Sequence, residues 1–152
     1  MVVQLTVERR EELLDAIDGS GSDRESNAVR ELRSLGPLFV EYLVKKYAAE
    51  THWKSRNSCV YNAIRYSRES RTAVSFGLVA LGDRSKVVRH NACLLLAYSL
   101  DKTVLPQLRQ AREDADLKTI EDITAAIQSI EEQNSNLFVD RKRSGKLTLR
   151  IL

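Results

Sequence analysis

A short pattern of residues recurs along the chain at an interval of about 31 to 33 positions. Residues 83–92, which read Asp-Arg-Ser-Lys-Val-Val-Arg-His-Asn-Ala, have a counterpart in residues 114–123, at an offset of 31. Residues 56–59 correspond in the same way to residues 89–92, at an offset of 33. A period of this length, built from paired helices, is typical of a solenoid, because one pair cannot bury its apolar side alone. The sequence therefore predicts an all-α fold, an α-solenoid of antiparallel helix pairs.

The composition supports one helical domain and excludes several other classes of protein. The chain has 152 residues, of which 43% are hydrophobic and 30% charged, with six glycines, two prolines and two cysteines. A chain this long buries roughly two-thirds of the surface that its unfolded form exposes, which is enough for a core. Disordered, collagen-like and disulfide-stapled proteins have other compositions, and no run approaches the roughly 20 apolar residues that cross a bilayer. We expect one domain over residues 1–152 and no membrane contact.

The start of the chain and its cysteines favour a cytoplasmic protein. Residues 1–6 contain neither a basic segment nor a continuous apolar run, so they show no export signal. Cys59 and Cys93 are far apart, and each lies within an apolar helical pattern, which is typical of buried, reduced thiols. His52 and His90 are too scattered to complete a metal site. We expect no bound metal.

Apolar residues at helical spacing divide the chain into helices joined by short breaks. Two helices are predicted within residues 5–35, and Thr6, Ser22 and Ser85 are candidate N-caps. Six further helices are predicted at about 37–49, 52–67, 70–81, 85–99, 103–112 and 117–132. The short breaks between them require antiparallel neighbours. Gly77 lies inside a predicted helix, where glycine is unfavourable, so we expect another helix to approach closely there.

After the last helix, the sequence changes to the two-residue period of a β-strand. Apolar and polar residues alternate in 146–151, and a second short apolar run occupies 137–141, with Ser-Gly in the turn between them. An isolated hairpin is barely stable in water, and the open end of a solenoid needs a cover. We therefore expect a short β-hairpin over residues 136–152 that caps the helices.

Residues 79–96 resemble a HEAT repeat, in particular the short HEAT-like kind first associated with phycobilisome lyases. The likeness is carried by Val-Ala-Leu-Gly-Asp, followed three residues later by Val-Val-Arg-His-Asn-Ala. Residues 103–108, Thr-Val-Leu-Pro-Gln-Leu, are similar to the first helix of such a repeat, including its early proline. The likeness covers residues 37–132, but Thr119-Ile120 stands where the family has Val-Arg.

The resemblance implies an arrangement and a class of function. In HEAT-like proteins the second helix of each pair lines the concave side, and an arginine at the position of Arg56 and Arg89 bonds within the stack. Asp83 and Arg89 are accordingly expected to form a structural pair. The chain looks most like the small bacterial HEAT-like proteins, some of which are immunity proteins that bind and block a cognate toxin.

The sequence contains no recognisable catalytic constellation. It has no glycine-rich phosphate loop, no H-E-x-x-H, no G-x-S-x-G and no cluster of cysteine and histidine. Asp114 and Asp116 could share general acid and base work, but their place before a predicted helix favours N-capping. We therefore predict a protein that is not an enzyme, with no catalytic residue and no cofactor.

The candidate binding surface is the side of two second helices that faces away from their core residues. It comprises Asn57, Tyr61, Arg65 and Arg68 on the helix 52–67 and Asn91, Leu94 and Tyr98 on the helix 85–99. Tyrosine and arginine beside asparagine and leucine form the composition favoured at protein–protein hot spots. The alternative is that the rings of Tyr61 and Tyr98 pack between helices and show water only their hydroxyl groups.

Two classes of function follow from this surface. The first is a protein-binding module, plausibly an immunity or inhibitor protein that occludes a cognate toxin or enzyme. The alternative is nucleic-acid binding, because residues 54–89 carry eight basic and two acidic side chains, a net charge of +6. HEAT-like DNA glycosylases hold a duplex with this architecture, although they are longer. A chromophore lyase or chaperone is a third possibility that rests on fold analogy alone.

Overall fold

The computed structural model describes residues 4–152, and all the regular elements within that range are helical. The α-helices are α1 (Val7–Asp15), α2 (Asp23–Leu32), α3 (Leu38–Ala49), α4 (Trp53–Ala63), α5 (Arg71–Ala80), α6 (Lys86–Ser99), α7 (Leu105–Glu113) and α8 (Leu117–Glu131). Short 3-10 segments follow or precede them at Arg33–Leu35, Ile64–Tyr66, Lys102–Val104 and Ser135–Phe138. The predicted all-α class is therefore confirmed. Residues 1–3, on which the expected lack of an export signal partly rests, lie outside the described range.

Polar side chains fix the beginnings of several helices. Thr6 and Ser22 accept the backbone N–H of the residue three positions on, at 3.1 and 3.2 Å, as predicted for N-caps. Asp116 begins α8 in the same way, which confirms its predicted capping role. Ser85 makes no such bond to α6, and instead its own N–H donates to Asp83 at 2.8 Å.

The helices from α3 onward pack in successive pairs. Helix α3 contacts α4, α5 contacts α6, and α7 contacts α8, while α4 also packs on α6 and α6 on α8. The largest fully buried side chains are distributed over all of these layers, and they include Phe39, Leu43, Ile64, Leu95, Leu108, Ile123 and Ile130. Apolar burial is thus shared from one pair to the next. No helix within residues 4–152 is both long enough and apolar enough to span a membrane.

Helices α5 and α6 meet closely at Gly77. A Cβ atom on this residue would lie 2.6 Å from Cδ2 of Leu95 and 3.1 Å from Cδ2 of Leu96. Both leucines are fully buried, so they cannot turn away into solvent. The predicted close approach at Gly77 is confirmed.

Two ion pairs, one buried and one partly exposed, connect successive helix pairs at the same sequence interval. Arg56 donates to both carboxylate oxygens of Asp83, at 2.9 and 3.1 Å, and Arg89 donates to Asp116 at 3.1 Å. Each pair joins residues 27 positions apart. The expectation that both arginines bond within the fold is right, and the predicted pair of Asp83 with Arg89 forms, although not between the two charged groups. Arg89 reaches only the main-chain oxygen of Asp83, at 2.7 Å, because Arg56 occupies the carboxylate.

The predicted β-hairpin over residues 136–152 is wrong, since no strand occurs anywhere in residues 4–152. Leu137 and Phe138 are adjacent and both buried in the 3-10 segment, which contacts α6 and α8. Successive residues of a strand would point to opposite faces, so burial of both requires a turn. The alternating residues after it are extended but have no partner strand.

Asp140 closes the loop that replaces the hairpin turn. Its carboxylate accepts the N–H groups of Ser144 and Gly145, at 2.9 and 2.7 Å, and the hydroxyl of Ser144 at 2.8 Å. These bonds hold the pKa of the Asp140 carboxyl below its usual value, with the Ser144 hydroxyl as the main cause. The backbone N–H groups of the predicted turn residues are thus bonded to one side chain.

Candidate protein-binding surface

The seven residues predicted to bind a partner lie on α4, on the turn that follows it, and on α6. We call them the α4–α6 stripe: Asn57, Tyr61, Arg65, Arg68, Asn91, Leu94 and Tyr98. Of these, Tyr61, Arg65 and Arg68 are exposed, and the other four are half-buried. Because α4 packs directly on α6, the stripe is continuous across two layers, and side-chain contacts join its two halves at two places.

The first contact joins the two asparagines. Asn91 donates an amide N–H to Oδ1 of Asn57 at 2.6 Å. Each amide group has further donor or acceptor capacity that this bond leaves unused. The pair therefore ties the middle of α4 to the middle of α6 and keeps polar groups available there.

The second contact joins Arg68 to Tyr98. The guanidinium carbon of Arg68 lies 3.9 Å from the centre of the Tyr98 ring, in a cation–π arrangement. Nε of Arg68 donates to the main-chain oxygen of Tyr98 at 2.7 Å, and Nη2 donates to the hydroxyl of Ser135 at 3.1 Å. These contacts hold the charge of Arg68 at the end of α6, where the helix dipole favours a cation.

The two tyrosines of the stripe have different environments. Tyr98 is half-buried and packs against the hydrophobic core, as the alternative interpretation expected for both rings. Tyr61 is 47% exposed, so its ring is available for contact with a partner. Leu94 resembles Tyr98 in packing against the core. The exposed part of the stripe is thus formed mainly by Tyr61 and the two arginines.

Tyr61 and Asn57 line a depression of about 590 Å³ between α2 and α4. Arg30 and Arg33, near the end of α2, line the same depression, and so does Leu152. The sequence pattern predicted no binding residue before position 37, so the position of Arg30 and Arg33 beside the stripe was not predicted. A pair of arginines three positions apart was the available signal, but the approach of α2 to α4 could not be read from it.

Arg33 is the least satisfied of these basic residues. Its Nη2 donates to the main-chain oxygen of Leu152 at 2.9 Å, but its Nε is buried without a hydrogen-bond partner among the described residues. Burial, and then the nearby charge of Arg65, lower the pKa of Arg33 below its usual value. An anionic group beside Arg33 would offset the nearby charge of Arg65.

The arginines divide into neutralised and unpaired groups. Arg56 and Arg89 pair with aspartates inside the fold. By contrast, no ion pair with an Asp or Glu side chain within residues 4–152 involves any of four arginines around the depression and the stripe: Arg30, Arg33, Arg65 and Arg68. Part of the unpaired positive charge therefore lies beside the exposed Tyr61.

The cysteines are placed for packing. Cys59 and Cys93 are buried and unbonded to each other. Burial raises the pKa of the Cys59 thiol to about 12 and also raises that of Cys93. Neither thiol supplies a thiolate nucleophile near neutral pH, since the thiolate is the reactive form. In the described part of the chain, no three His, Cys, Asp or Glu side chains come together as a metal site.

No known protein-family model matches the chain, and none of the curated proteins matches it. The resemblance to HEAT repeats stays a prediction that rests on residues 79–96 and 103–108. The chemistry of the exposed surface is therefore the main guide to function.

Proposed function

We propose that the chain is a non-catalytic protein-binding module, built as a HEAT-like α-solenoid from the pairs α3–α4, α5–α6 and α7–α8. Side-chain bonds between neighbouring layers support this arrangement, because they recur near the period of the sequence repeat. Asn57 and Asn91 are 34 positions apart, and Arg68 and Tyr98 are 30 apart. In a solenoid each unit contacts its neighbours at such intervals.

The observation that carries the proposal is the exposed Tyr61 beside arginines that have no carboxylate partner. Tyrosine offers a large contact area with little entropy to lose, and arginine offers directional hydrogen bonds. Arg68 is already held by Tyr98 and Ser135. A surface ordered before binding loses little conformational entropy on docking.

The proposed mechanism is occlusion of a partner's working surface. The α4–α6 stripe would anchor the partner, and the surrounding polar side chains would exclude water from the contact. A cognate toxin or enzyme in the cytoplasm is the partner class proposed, following the resemblance to small bacterial immunity proteins. Two buried, unpaired cysteines suit such a reducing compartment.

A double substitution, Tyr61→Ala with Arg65→Ala, tests this function. Both side chains are exposed, so we expect the helical circular dichroism to stay unchanged, and stability to change by less than about 0.5 kcal/mol. Partner affinity should fall by about 2 kcal/mol or more, the range of hot-spot residues. The partner is identified by affinity capture with mass spectrometry, and its binding to each purified variant is then titrated.

The matched control is Val79→Ala with Arg84→Ala. It also removes one large exposed side chain and one exposed arginine, but outside the stripe. This control should bind the partner as the unaltered chain does. Equal affinity of the stripe variant and the control would contradict the proposed surface.

The alternative function is nucleic-acid binding through the basic residues of 54–89. Arg56 and Arg89 are already paired within the fold, and the partner of Arg89, Asp116, lies outside this stretch and offsets one of its positive charges. Arg65 and Arg68 remain free of carboxylates and favour an anionic ligand. Anisotropy titration with labelled duplex DNA at about 50 mM salt tests this, since the affinity of a phosphate binder is high at low salt and falls steeply above it.

A further inference from the structure

Residues 146–152 lie on the protein as an extended arm. The N–H of Leu149 donates to Oδ1 of Asn136, after α8, at 2.9 Å. Arg33, after α2, donates to the main-chain oxygen of Leu152 at 2.9 Å. The arm therefore spans from the end of the last helix to the end of the second, and side chains of the helical body hold its backbone.

The arm is only partly buried. Leu149 and Ile151 are half-buried, and Ile151 packs against the core. In contrast, Leu147 is 53% exposed and Leu152 is 79% exposed. Among the described residues, the arm has only the two hydrogen bonds to Asn136 and Arg33 that link it to the helical body. The surface thus accommodates an extended polypeptide segment, but it holds residues 146–152 through few hydrogen bonds.

The charge of the arm does not match the surface beneath it. The arm contains two basic side chains, Lys146 and Arg150, and no acidic one. Arg141 and Arg143 pair with acidic residues elsewhere, but Lys146 and Arg150 do not. The arm ends at Arg33, near Arg65, and neither arginine forms an ion pair with an Asp or Glu side chain of the described residues. A basic arm does not complement these two side chains, whereas an acidic segment would.

We infer that the surface beneath residues 146–152 binds an extended acidic segment of the partner protein, which displaces the arm. This inference rests on the proposed function, since it names the chemistry of the partner at one end of the same surface. Leu152 lies in the depression lined by Tyr61 and Asn57, so the arm reaches the α4–α6 stripe. The arm is then a resident competitor that lowers the apparent affinity of any ligand for this surface.

An acidic polypeptide is favoured over a nucleic acid by the form of the surface. It accommodates the apolar side chains of Leu149 and Ile151 and bonds a peptide N–H through Asn136. Nucleic-acid backbones offer neither alternating apolar groups nor N–H donors. Arg30 and Arg33 also lie together at one depression. A nucleic-acid backbone would favour basic residues spread along an extended groove.

The test uses fluorescent heptapeptides that keep the apolar pattern of the arm. One probe, Glu-Leu-Asp-Leu-Glu-Ile-Leu, carries acids, and the second, Lys-Leu-Thr-Leu-Arg-Ile-Leu, has the arm's own sequence. Each is titrated by anisotropy against the full chain and against a full-length variant with a loosened arm, Leu149→Gly with Ile151→Gly. The acidic probe should bind the loosened variant about tenfold more tightly than the unaltered chain, because the competitor is weakened.

Substitutions on the surface complete the test. Arg33→Ala with Arg65→Ala should remove binding of the acidic probe, whereas Arg71→Ala with Arg84→Ala removes the same charge elsewhere and should preserve it. Arg65→Ala alone, at an exposed position, replaces the double variant if circular dichroism shows that the latter is unfolded. Amide resonances of residues 149 and 151 should move to random-coil positions when the acidic probe saturates the unaltered chain.

Several results would overturn the inference. These are equal binding of the acidic and basic probes, no binding of the acidic probe to the loosened variant, or binding of a single-stranded DNA 20-mer in preference to the acidic probe. If the acidic probe fails while partner capture still depends on Tyr61 and Arg65, this inference falls and the proposed function stands. If capture does not depend on Tyr61 and Arg65, the proposed function fails whatever the probes do.

Discussion

The absence of a Cβ atom at Gly77 allows α5 and α6 to approach each other closely. A methyl group there would meet Leu95 and Leu96, which lie in a densely packed interior with no room to yield. Alanine is favoured over glycine in a helix by about 1 kcal/mol. Overpacking a core costs about 1–3 kcal/mol. Steric conflict therefore outweighs helix propensity at this position.

We predict that Gly77→Ala lowers the free energy of unfolding by about 1 kcal/mol, the difference between these two effects. Urea unfolding followed by circular dichroism measures the change. Gly82→Ala is the control, because its Cβ would meet only the main-chain oxygen of Val79, at an ordinary 3.6 Å. A Gly77→Ala protein as stable as the Gly82→Ala protein would show that α5 can move away from α6.

At the scale of elements, the sequence predicted the helices well because their signal is local. The predicted helix at 85–99 corresponds to Lys86–Ser99, and that at 117–132 to Leu117–Glu131. Apolar residues that repeat on one helical face identify such elements without knowledge of their neighbours. The alternation of apolar and polar residues in 146–151 is also a local signal. It corresponds to a segment in which Leu149 and Ile151 are half-buried. The pattern could not show that this segment donates its hydrogen bond to the side chain of Asn136 and not to a second strand.

The candidate binding surface was predictable only where it lay within one element. Tyr61 and Arg65 follow from the spacing of apolar residues in α4, which leaves them on the outer side. Arg33 joins them because α2 lies beside α4, where Glu25 accepts a hydrogen bond from Ser58 at 2.8 Å. That contact spans 33 positions, and no local pattern specifies it.

The C-terminal loop is attached to the helices through the buried Asp122 of α8. Its carboxylate lies 3.0 Å from Nδ1 of His90 on α6, 2.9 Å from Nη2 of Arg141 and 3.4 Å from Nζ of Lys118. Burial opposes its ionisation, but the hydrogen bonds from His90 and Arg141 outweigh burial and hold the pKa of Asp122 at about 2. The ionised carboxylate thus joins three separate segments of the chain.

The pH dependence of stability should report this attachment. The pKa of Asp122 is lower in the folded protein than its ordinary value near 3.8, so its contribution is fully present above about pH 5 and is lost as the pH falls towards 2. The contribution is roughly 2 kcal/mol. Urea unfolding at a series of pH values should show a smaller loss between pH 5 and 2 in Asp122→Asn than in the unaltered chain. Parallel curves for the two proteins would assign the acid sensitivity to other carboxylates.

Across the whole molecule, contacts are concentrated at the middle of the chain. Helix α6 packs on α4, α5 and α8, whereas the principal contacts of α1 are with α2 and α3. Arg56 of α4 pairs with Asp83, which precedes α6, and Arg89 of α6 pairs with Asp116, which precedes α8, so both ion pairs link α6 or its N-terminal turn to a neighbouring helix. In a solenoid, stability is the sum of unit and neighbour terms, so end units open before central ones.

Native-state hydrogen exchange distinguishes such a solenoid from a closed bundle. We expect amides of the buried residues Leu13 and Leu14 in α1 to exchange at least roughly tenfold faster than those of Leu95 and Leu96 in α6, because local opening of an end unit breaks fewer contacts. Low denaturant should speed exchange in α6 more than in α1, since only α6 requires near-global unfolding. Equal opening free energies for α1 and α6, with equal denaturant dependence, would mean that the helices unfold as one cooperative body. The expected difference in stability between the end and the middle of the chain would then be absent.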